Sequence, residues 1–199
     1  MKKPIRECAR WLPGVVMIAV VCMSGCKPGE EEKVQTPKES VVEAGTLEVT
    51  SPAFANGETM PKEFTADGDN VSPPLEWRHV PEEAKSIALI CEDPDAPRGT
   101  FTHWVISNVD ARSTGLPRGV PTSALLQSGA RQGKNDLGTV GYSGPAPPPG
   151  SAHRYCFRVY ALDQPLVLEQ GAGKAELLKA MKGHVLAQGE IMARYGRSK

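Results

Sequence analysis

The chain has little of several features that would place a protein quickly in a class. Its 199 residues include five cysteines, 6% aromatic residues and equal numbers of basic and acidic side chains, 23 of each. With no net positive charge, no basic stripe and no aromatic residues interleaved with basic ones, the sequence argues against a nucleic-acid partner. It also contains no internal repeat, so a repeat architecture is not expected.

The sequence also lacks a hydrophobic run long enough to span a bilayer. Its apolar stretch at residues 11–23 is interrupted by Pro13-Gly14, whereas a spanning helix needs about 20 apolar residues. Four basic residues precede this stretch, namely Lys2, Lys3, Arg6 and Arg10. A positive start followed by a short apolar segment is typical of a signal peptide, which we predict over residues 1–25.

The predicted signal peptide is followed by a cysteine, in the sequence Met23-Ser24-Gly25-Cys26. Small residues directly before a cysteine resemble a bacterial lipobox, although methionine stands where leucine is usual. We therefore expect Cys26 to be acylated and to become the first mature residue; an uncleaved anchor or an ordinary secretory signal is the alternative. Lys27 in place of aspartate favours the outer membrane, facing the periplasm, over the inner membrane.

The composition changes after the predicted cleavage site. Residues 26–45 contain Glu30-Glu31-Glu32, scattered lysine, serine and proline, and almost nothing that could be buried. We predict that they form a disordered tether between the lipid and a single domain, residues 46–199. That length is enough for a hydrophobic core, and the chain after residue 25 is mildly acidic, with 19 basic and 22 acidic residues.

The predicted domain reads mainly as β-strands. Its apolar or alternating segments are separated by stretches rich in proline and glycine, which is typical of a β-rich domain. The segment at residues 86–91 is a continuous apolar run, as expected for a strand buried on both faces. Strands are predicted in four segments: 46–50, 86–91, 104–109 and 155–162.

One helix is predicted near the C-terminus, over residues 174–182. Gly183 would end it, and its apolar face would consist of Leu177, Leu178 and Met181. Residues 184–195 could form a last strand or a second helix, and Gly189 in the middle disfavours the helix.

Cysteine gives little information about the domain. Cys91 and Cys156 are the two that fall within residues 46–199, each in a predicted strand beside a polar motif. An exported protein could join them in a disulfide, but two buried thiols are expected, because free cysteine often behaves as a small buried hydrophobe.

A first polar motif, Asp93-Pro94-Asp95-Ala96-Pro97, follows the buried strand, and His103-Trp104 begins the next. Proline restricts its own backbone and that of the residue before it, so this loop should be stiff. If the loop is extended, Asp93 and Asp95 point the same way, and each carboxylate raises the pKa of the other. That arrangement would permit acid–base chemistry; simple turn formation by Asp and Pro is the alternative.

A second polar motif, residues 144–150, is rich in proline and glycine and precedes His153-Arg154-Tyr155. Gly144 permits close backbone approach, and the proline run stiffens the loop. In a strand, His153 and Tyr155 share one face while Arg154 points away and could pair with a carboxylate elsewhere. Imidazole and phenol groups can donate hydrogen bonds to an oxyanion, so both motifs could line one polar pocket.

Together with residues 65–77, these motifs resemble, in order and spacing, the phosphatidylethanolamine-binding protein family, in particular its bacterial, Raf-kinase-inhibitor-like branch. The resemblance implies a β-rich α+β fold of two packed antiparallel sheets with short helices near the C-terminus. It also implies a small pocket for phosphate or carboxylate groups, lined by seven residues: Asp93, Asp95, His103, Gly144, Pro147, His153 and Tyr155. Phe101-Thr102 stands where the family often has an aromatic pair.

Three functions are compatible with such a pocket. A binding module would hold a small anionic or zwitterionic ligand, such as a phosphate, a carboxylate or a phosphoethanolamine group. A regulator would inhibit a kinase or protease through the pocket rim, with a partner that the sequence does not name. An acid–base or metal-assisted enzyme is the third possibility, disfavoured because Ser143 lacks the spaced glycines of a nucleophile elbow. We expect binding without a cofactor or resident metal, with the membrane contacted through the lipid at Cys26.

Overall fold

The computed structural model describes residues 45–198. The predicted signal peptide (residues 1–25), the lipid-attachment residue Cys26 and the tether as far as residue 44 lie outside the described residues. Within the described part, no helix is both long and apolar enough to cross a membrane.

Nine strands in this part of the chain form two sheets. The strands are β1 (Gly45–Thr46), β2 (Glu48–Thr50), β3 (Leu75–Arg78), β4 (Ser86–Asp93), β5 (Phe101–Asp110), β6 (Gly115–Leu116), β7 (Arg131–Gln132), β8 (His153–Leu162) and β9 (Val185–Tyr195). The larger sheet has the order β1-β9-β8-β4-β5-β7 and the smaller sheet the order β2-β3-β6. Neighbouring strands are antiparallel except for the parallel pair β1 and β9.

The predicted β-rich fold of two sheets is confirmed, with one change at its start. Residues 46–50 were expected to form one strand, but the chain passes from one sheet to the other within this segment. Thr46 belongs to β1 in the larger sheet and Val49 to β2 in the smaller one. Leu47, between them, is buried, so a pattern of alternating burial continues across the change of sheet.

The main core lies between the two sheets. Its large, fully buried side chains include Phe64, Trp77, Trp104, Tyr155 and Phe157. Strand β4 is buried on both faces: Ile87 and Leu89 belong to this core, while Ala88 and Ile90 pack against a helix on the outer face. This double burial accounts for the continuous apolar run in the sequence.

The covering helix, α1 (Lys174–Met181), confirms the predicted C-terminal helix, although its buried face is narrower than expected. Leu177 and Met181, one turn apart, are buried, whereas Leu178 is 44% exposed. Consecutive helical residues are about 100° apart around the axis, so Leu178 cannot share the narrow face of Leu177. A short 3-10 helix, Lys62–Phe64, lies earlier in the chain rather than near its end.

The ambiguous C-terminal segment is strand β9, which pairs along its length with β8. Gly189 lies where the backbone of Leu47 crosses the strand: a Cβ at this position would be 2.3 Å from the Leu47 carbonyl oxygen. The glycine therefore serves a close backbone approach rather than ending a helix.

Both domain cysteines are free and buried, as expected. Cys91 belongs to the core between the sheets, together with Phe157, its register partner on β8. Cys156 precedes Phe157 on that strand, and its side chain therefore points to the opposite face. Burial raises the pKa of the Cys91 thiol well above its usual value, which keeps this thiol protonated and unreactive.

Candidate functional site

Three strands of the larger sheet bring the two polar motifs together. Strand β4 ends at Asp93, while its antiparallel neighbours β5 and β8 begin at Phe101 and His153. Because antiparallel neighbours run in opposite directions, these ends meet at one edge of the sheet. They surround a cavity of about 230 Å³, which we call the two-histidine pocket. Six of the seven predicted residues line it: Asp93, His103, Gly144, Pro147, His153 and Tyr155.

Asp93 and His153 form a buried pair in the pocket wall. The His153 Nδ1 lies 2.8 Å from Asp93 Oδ2, and the two side chains are 11% and 5% exposed. A carboxylate accepts hydrogen bonds, so Nδ1 carries the hydrogen and Nε2 is left for a ligand. The other carboxylate oxygen, Oδ1, accepts the main-chain N–H of Asp95 at 2.8 Å. Asp93 is therefore held at both oxygens and orients the imidazole.

The second imidazole, His103, is held in a similar way. Its Nδ1 lies 2.6 Å from the carbonyl oxygen of Ser143, to which it donates a hydrogen bond. Burial lowers the pKa of His103 below its usual 6.5, more than the hydrogen bond to Ser143 and the nearby Asp93 and Asp136 carboxylates raise it. In the free protein the ring is consequently neutral at pH 7, with Nε2 as an acceptor.

Tyr155 completes the polar part of the pocket. Its side chain is fully buried, and its hydroxyl is the buried side-chain polar atom in residues 45–198 that lacks a hydrogen-bond partner. Burial, and secondarily the Asp93 carboxylate, raises the pKa of Tyr155, so the group stays a neutral phenol able to donate. Most buried polar groups in proteins are paired, so this hydroxyl is available to a water molecule or a ligand in the pocket.

Aromatic contacts hold the polar side chains in place. The rings of His103 and Tyr155 meet edge to face, with centroids 5.2 Å apart. On the other side of His103, the ring of Phe101 lies 4.8 Å away. The three rings form a continuous row from the pocket rim to its floor, and their packing limits the rotation of each one.

The loop at residues 144–150 forms the opposite wall. Gly144 lies so close to the chain at Phe64 that a Cβ would be 2.6 Å from the Phe64 carbonyl oxygen. Its N–H donates to the Asn70 Oδ1 at 2.7 Å. Asn70 has a φ of 56°, a left-handed conformation that asparagine tolerates better than most residues. The predicted close approach at Gly144 therefore serves contact between two loops of the protein rather than with a ligand.

The C-terminal segment supports the same wall. The Arg197 Nη1 donates to the Pro147 carbonyl oxygen at 3.2 Å, and the same guanidinium makes two hydrogen bonds of 2.7 Å to Asp67. The Tyr195 hydroxyl adds a third donor to Asp67 at 2.9 Å. These hydrogen bonds, the one from Arg197 first, lower the pKa of Asp67 to about 2. Arg197 thus links the proline-rich loop to the Asp67 turn.

The seventh predicted residue, Asp95, does not line the pocket. It forms two hydrogen bonds with the Arg154 guanidinium, at 2.9 and 2.7 Å, on the outer side of the loop. The expectation that Asp93 and Asp95 point the same way is wrong, because the Asp95 N–H folds back onto Asp93 in a turn. The expected outward direction of Arg154 and its pairing with a distant carboxylate are confirmed.

Several pocket residues were missed by reasoning from sequence. The Ser143 carbonyl that holds His103 belongs to the main chain and leaves no mark in the side-chain pattern. Leu137 also lines the pocket, although it lies in the turn Asn135-Asp136-Leu137-Gly138. A large apolar residue in an otherwise polar turn was the available signal. The remaining lining residues are Ala96, Pro97, Phe101, Ala146 and Pro148.

A larger and more open cleft of about 890 Å³ lies beside α1 and the loop before it. None of the seven predicted site residues lines this cleft, and it contains no paired histidines. No group of three or more His, Cys, Asp or Glu residues in residues 45–198 is arranged to hold a metal ion. The two-histidine pocket is therefore the better candidate site.

Two packed sheets with a small pocket at the strand ends, where a few polar side chains converge among apolar ones, are typical of a ligand-binding protein. The chain belongs to the phosphatidylethanolamine-binding protein family, whose model matches residues 50–196. The family expected from the two motifs is thereby confirmed, and with it a ligand-binding protein of this type.

Sequence and structure comparisons agree. A UPF0098 protein from Methanothermobacter thermautotrophicus is 54% identical over 145 residues, which cover 73% of this chain and 95% of the relative. The crystal structure of a phosphatidylethanolamine-binding protein homologue from Chlamydia trachomatis is 40% identical, with a TM-score of 0.70, and covers 78% of this chain and 100% of its own. Escherichia coli YbcL, described as a member of the mammalian family, is 33% identical with a TM-score of 0.71 over 76% of this chain and 99% of its own.

Proposed function

We propose that the two-histidine pocket binds a small ligand through a phosphate or carboxylate group. The Tyr155 hydroxyl carries the proposal, because it is buried in the pocket near the Asp93 carboxylate and makes no well-formed hydrogen bond among the described residues. Leaving a buried donor unpaired costs roughly 1–3 kcal/mol. An oxygen of a bound anion would supply the missing acceptor and recover that cost in the complex.

The two imidazoles supply the charge that this ligand needs. No lysine or arginine is among the residues that line the pocket in the described part of the chain. His103 and His153 both use Nδ1 within the protein, so a protonated Nε2 on either ring would donate to the anion. A zwitterion such as phosphoethanolamine would also place its ammonium group near Asp93.

The proposal is one of binding without a reaction. Ser143 contributes its main-chain carbonyl to the orientation of His103, and Ser143-Gly144 lacks the spaced glycines of a nucleophile elbow. Asp93 is committed to His153 and to the turn at Asp95, so it has no free role as a general base.

Tyr155→Phe is expected to weaken anion binding about 10- to 100-fold, which corresponds to a lost hydrogen bond to a charged group. The melting temperature of the free protein should stay the same or rise slightly, because the hydroxyl has no partner to lose. Isothermal titration and thermal shift with phosphate, acetate and phosphoethanolamine measure both quantities. Tyr160→Phe, on the same strand but away from the pocket, is the control.

Two results would contradict the proposal. One is equal affinity of the wild type and Tyr155→Phe for an anion that binds. The other is a wild-type melting temperature unchanged by all three anions, because a ligand that binds the folded state alone must stabilise it.

We further propose that the protein is tethered to the bacterial envelope by lipid at Cys26, with the outer membrane as the destination. The sequence before Cys26 supports this, and several acyl chains on one residue provide firm anchoring at about 0.8 kcal/mol per buried methylene.

Cys26→Ala is expected to move the protein from the membrane pellet to the soluble fraction, since the acyl chains would have no attachment site. Fractionation by ultracentrifugation and mass spectrometry of the N-terminal peptide measure the change. Cys22→Ala, inside the predicted signal peptide, is the matched control and should stay in the pellet. A wild-type N-terminal peptide without acyl mass would reject the lipid anchor.

A further inference from the structure

We infer that the ligand of the two-histidine pocket carries an apolar group next to its oxyanion, and that Leu137 and Phe101 select that group. This inference rests on the proposed anion binding and makes it more specific. It concerns the rim of the pocket, whereas anion binding concerns His103, His153 and Tyr155 at the floor.

Leu137 is the first observation. Its side chain is 63% exposed, yet it lines the two-histidine pocket. The other large hydrophobic side chains that are exposed in residues 45–198 are Leu125, Val167 and Leu178, and none of them lines this pocket. An apolar side chain that is open to water at the mouth of a pocket offers contact area that a ligand can bury.

The turn that carries Leu137 is rigid. Asn135 is buried, and its Oδ1 accepts the main-chain N–H groups of Leu137 at 3.0 Å and of Thr139 at 3.2 Å. The Asn135 amide nitrogen donates to the Thr139 hydroxyl at 2.9 Å and to the Gly141 carbonyl at 3.1 Å. One buried side chain thus uses its amide oxygen and nitrogen to hold this turn, which fixes the backbone position of Leu137 at the pocket.

The same turn is tied to the strand that carries Phe101. The Thr102 N–H donates to Asp136 Oδ2 at 2.7 Å, and the Asp136 N–H donates to the Thr102 carbonyl at 3.0 Å. Leu137 follows Asp136 in the sequence, and Phe101 precedes Thr102. Phe101 also packs against the His103 ring. The main-chain segments that carry Leu137 and Phe101 are therefore held beside each other.

The composition of the pocket explains why such contacts would matter. Its lining within the described residues has no lysine or arginine to hold an anion with a fixed charge. Its volume of about 230 Å³ exceeds what a lone inorganic oxyanion needs, while it is below the roughly 300 Å³ typical of drug-sized ligands. A short apolar substituent would fill the remaining space and add binding free energy that the floor does not provide.

A series of phosphate monoesters tests the inference. Inorganic phosphate, methyl phosphate, ethyl phosphate and n-butyl phosphate present the same oxyanion with an increasing apolar group. In the wild type, the Kd measured by isothermal titration should fall about two- to fourfold per added methylene that is buried at the rim. In Leu137→Ser this dependence should flatten, so the Kd values for inorganic phosphate and n-butyl phosphate should lie closer together than in the wild type.

Leu125→Ser is the matched control, because Leu125 is similarly exposed, at 60%, but does not line the pocket. It should retain the wild-type dependence on chain length. The phosphate monoester could belong to a lipid headgroup or to a free small molecule. Flotation with vesicles of phosphatidic acid in phosphatidylcholine distinguishes the two, because a protein that binds the headgroup floats with the vesicles. Either source supports the inference when Leu137→Ser weakens the binding.

The failures of the two ideas are distinguishable. Equal Kd values of the wild type for inorganic phosphate and n-butyl phosphate would overturn the apolar selection and leave anion binding intact. A chain-length dependence that is unchanged in Leu137→Ser would do the same. Absence of binding by every phosphate and every carboxylate, up to millimolar concentration, would overturn the proposed function and this inference together.

Discussion

His153→Ala is expected to lower the free energy of unfolding by about 2–4 kcal/mol and to abolish anion binding. The substitution leaves the Asp93 carboxylate, whose side chain is 5% exposed, without its imidazole partner at 2.8 Å. Removing the hydrogen-bond donor of a buried carboxylate is costly, because the remaining charge is desolvated and loses its partner. Urea denaturation at pH 7 measures the stability, and isothermal titration measures the binding.

Two variants make this prediction specific. Arg154→Ala removes the neighbouring residue of the same strand, whose ion pair with Asp95 is partly exposed, and should change stability only slightly and binding not at all. Asp93→Asn combined with His153→Ala removes the buried charge along with the imidazole, so its loss of stability should be smaller than the sum of the two single losses. An additive double variant, or an Arg154→Ala protein that no longer binds anions, would contradict the assigned roles.

A fall in pH should act in opposite directions on stability and on anion affinity through His103. Burial holds the pKa of the folded-state imidazole below the 6.5 of the unfolded chain. The unfolded state therefore binds the proton first as the pH falls. The neutral ring stabilises the folded state above pH 6.5, and this stabilisation is lost as the pH drops below that value. The unfolding equilibrium constant then rises by at most tenfold per pH unit.

Anion affinity should rise over the same interval. A bound anion next to Nε2 favours the imidazolium, so the pKa of His103 is higher in the complex than in the free protein. Between those two values binding takes up a proton, and the Kd falls by as much as tenfold for each unit of pH decrease. Titration calorimetry from pH 8 to pH 5, repeated in buffers of different ionisation enthalpy, measures both the Kd and the proton uptake.

His103→Asn separates this ring from the other titrating groups of the protein. The asparagine amide can still donate to the Ser143 carbonyl, but it does not titrate. As the pH falls, the variant should therefore lose less stability than the wild type. It should also gain less anion affinity. Parallel pH profiles for the two proteins would contradict the assignment of the proton uptake to His103.

Patterns local to the sequence predicted the long strands β4, β5 and β8 but not the short strands β3, β6 and β7. The apolar run in β4 and the alternation in β8 follow from which faces of each strand are buried, and a burial pattern is recorded in the order of residue types. The division of residues 46–50 between two sheets was not predictable in this way. Leu47 is buried whether these residues form one strand or two, so its burial does not distinguish the two arrangements. The choice between strand and helix at Gly189 depended on a backbone crossing by Leu47, some 140 residues earlier in the chain.

The candidate site was likewise predicted in part from the sequence and decided in part by the folded structure. The resemblance of the two motifs to a known family predicted that Asp93, His103, His153 and Tyr155 lie together, and the pairing of β4 with β5 and β8 brings their strand ends to one pocket. Tertiary structure decided that Asp95 turns outward to Arg154.

The folded structure places Leu137 at the pocket and Arg197 behind the loop that forms its wall, and neither position follows from the local sequence pattern. It also left the Tyr155 hydroxyl without a partner. Whether a buried donor is satisfied depends on every atom within hydrogen-bond distance of it, and that set of atoms exists only once the chain has folded.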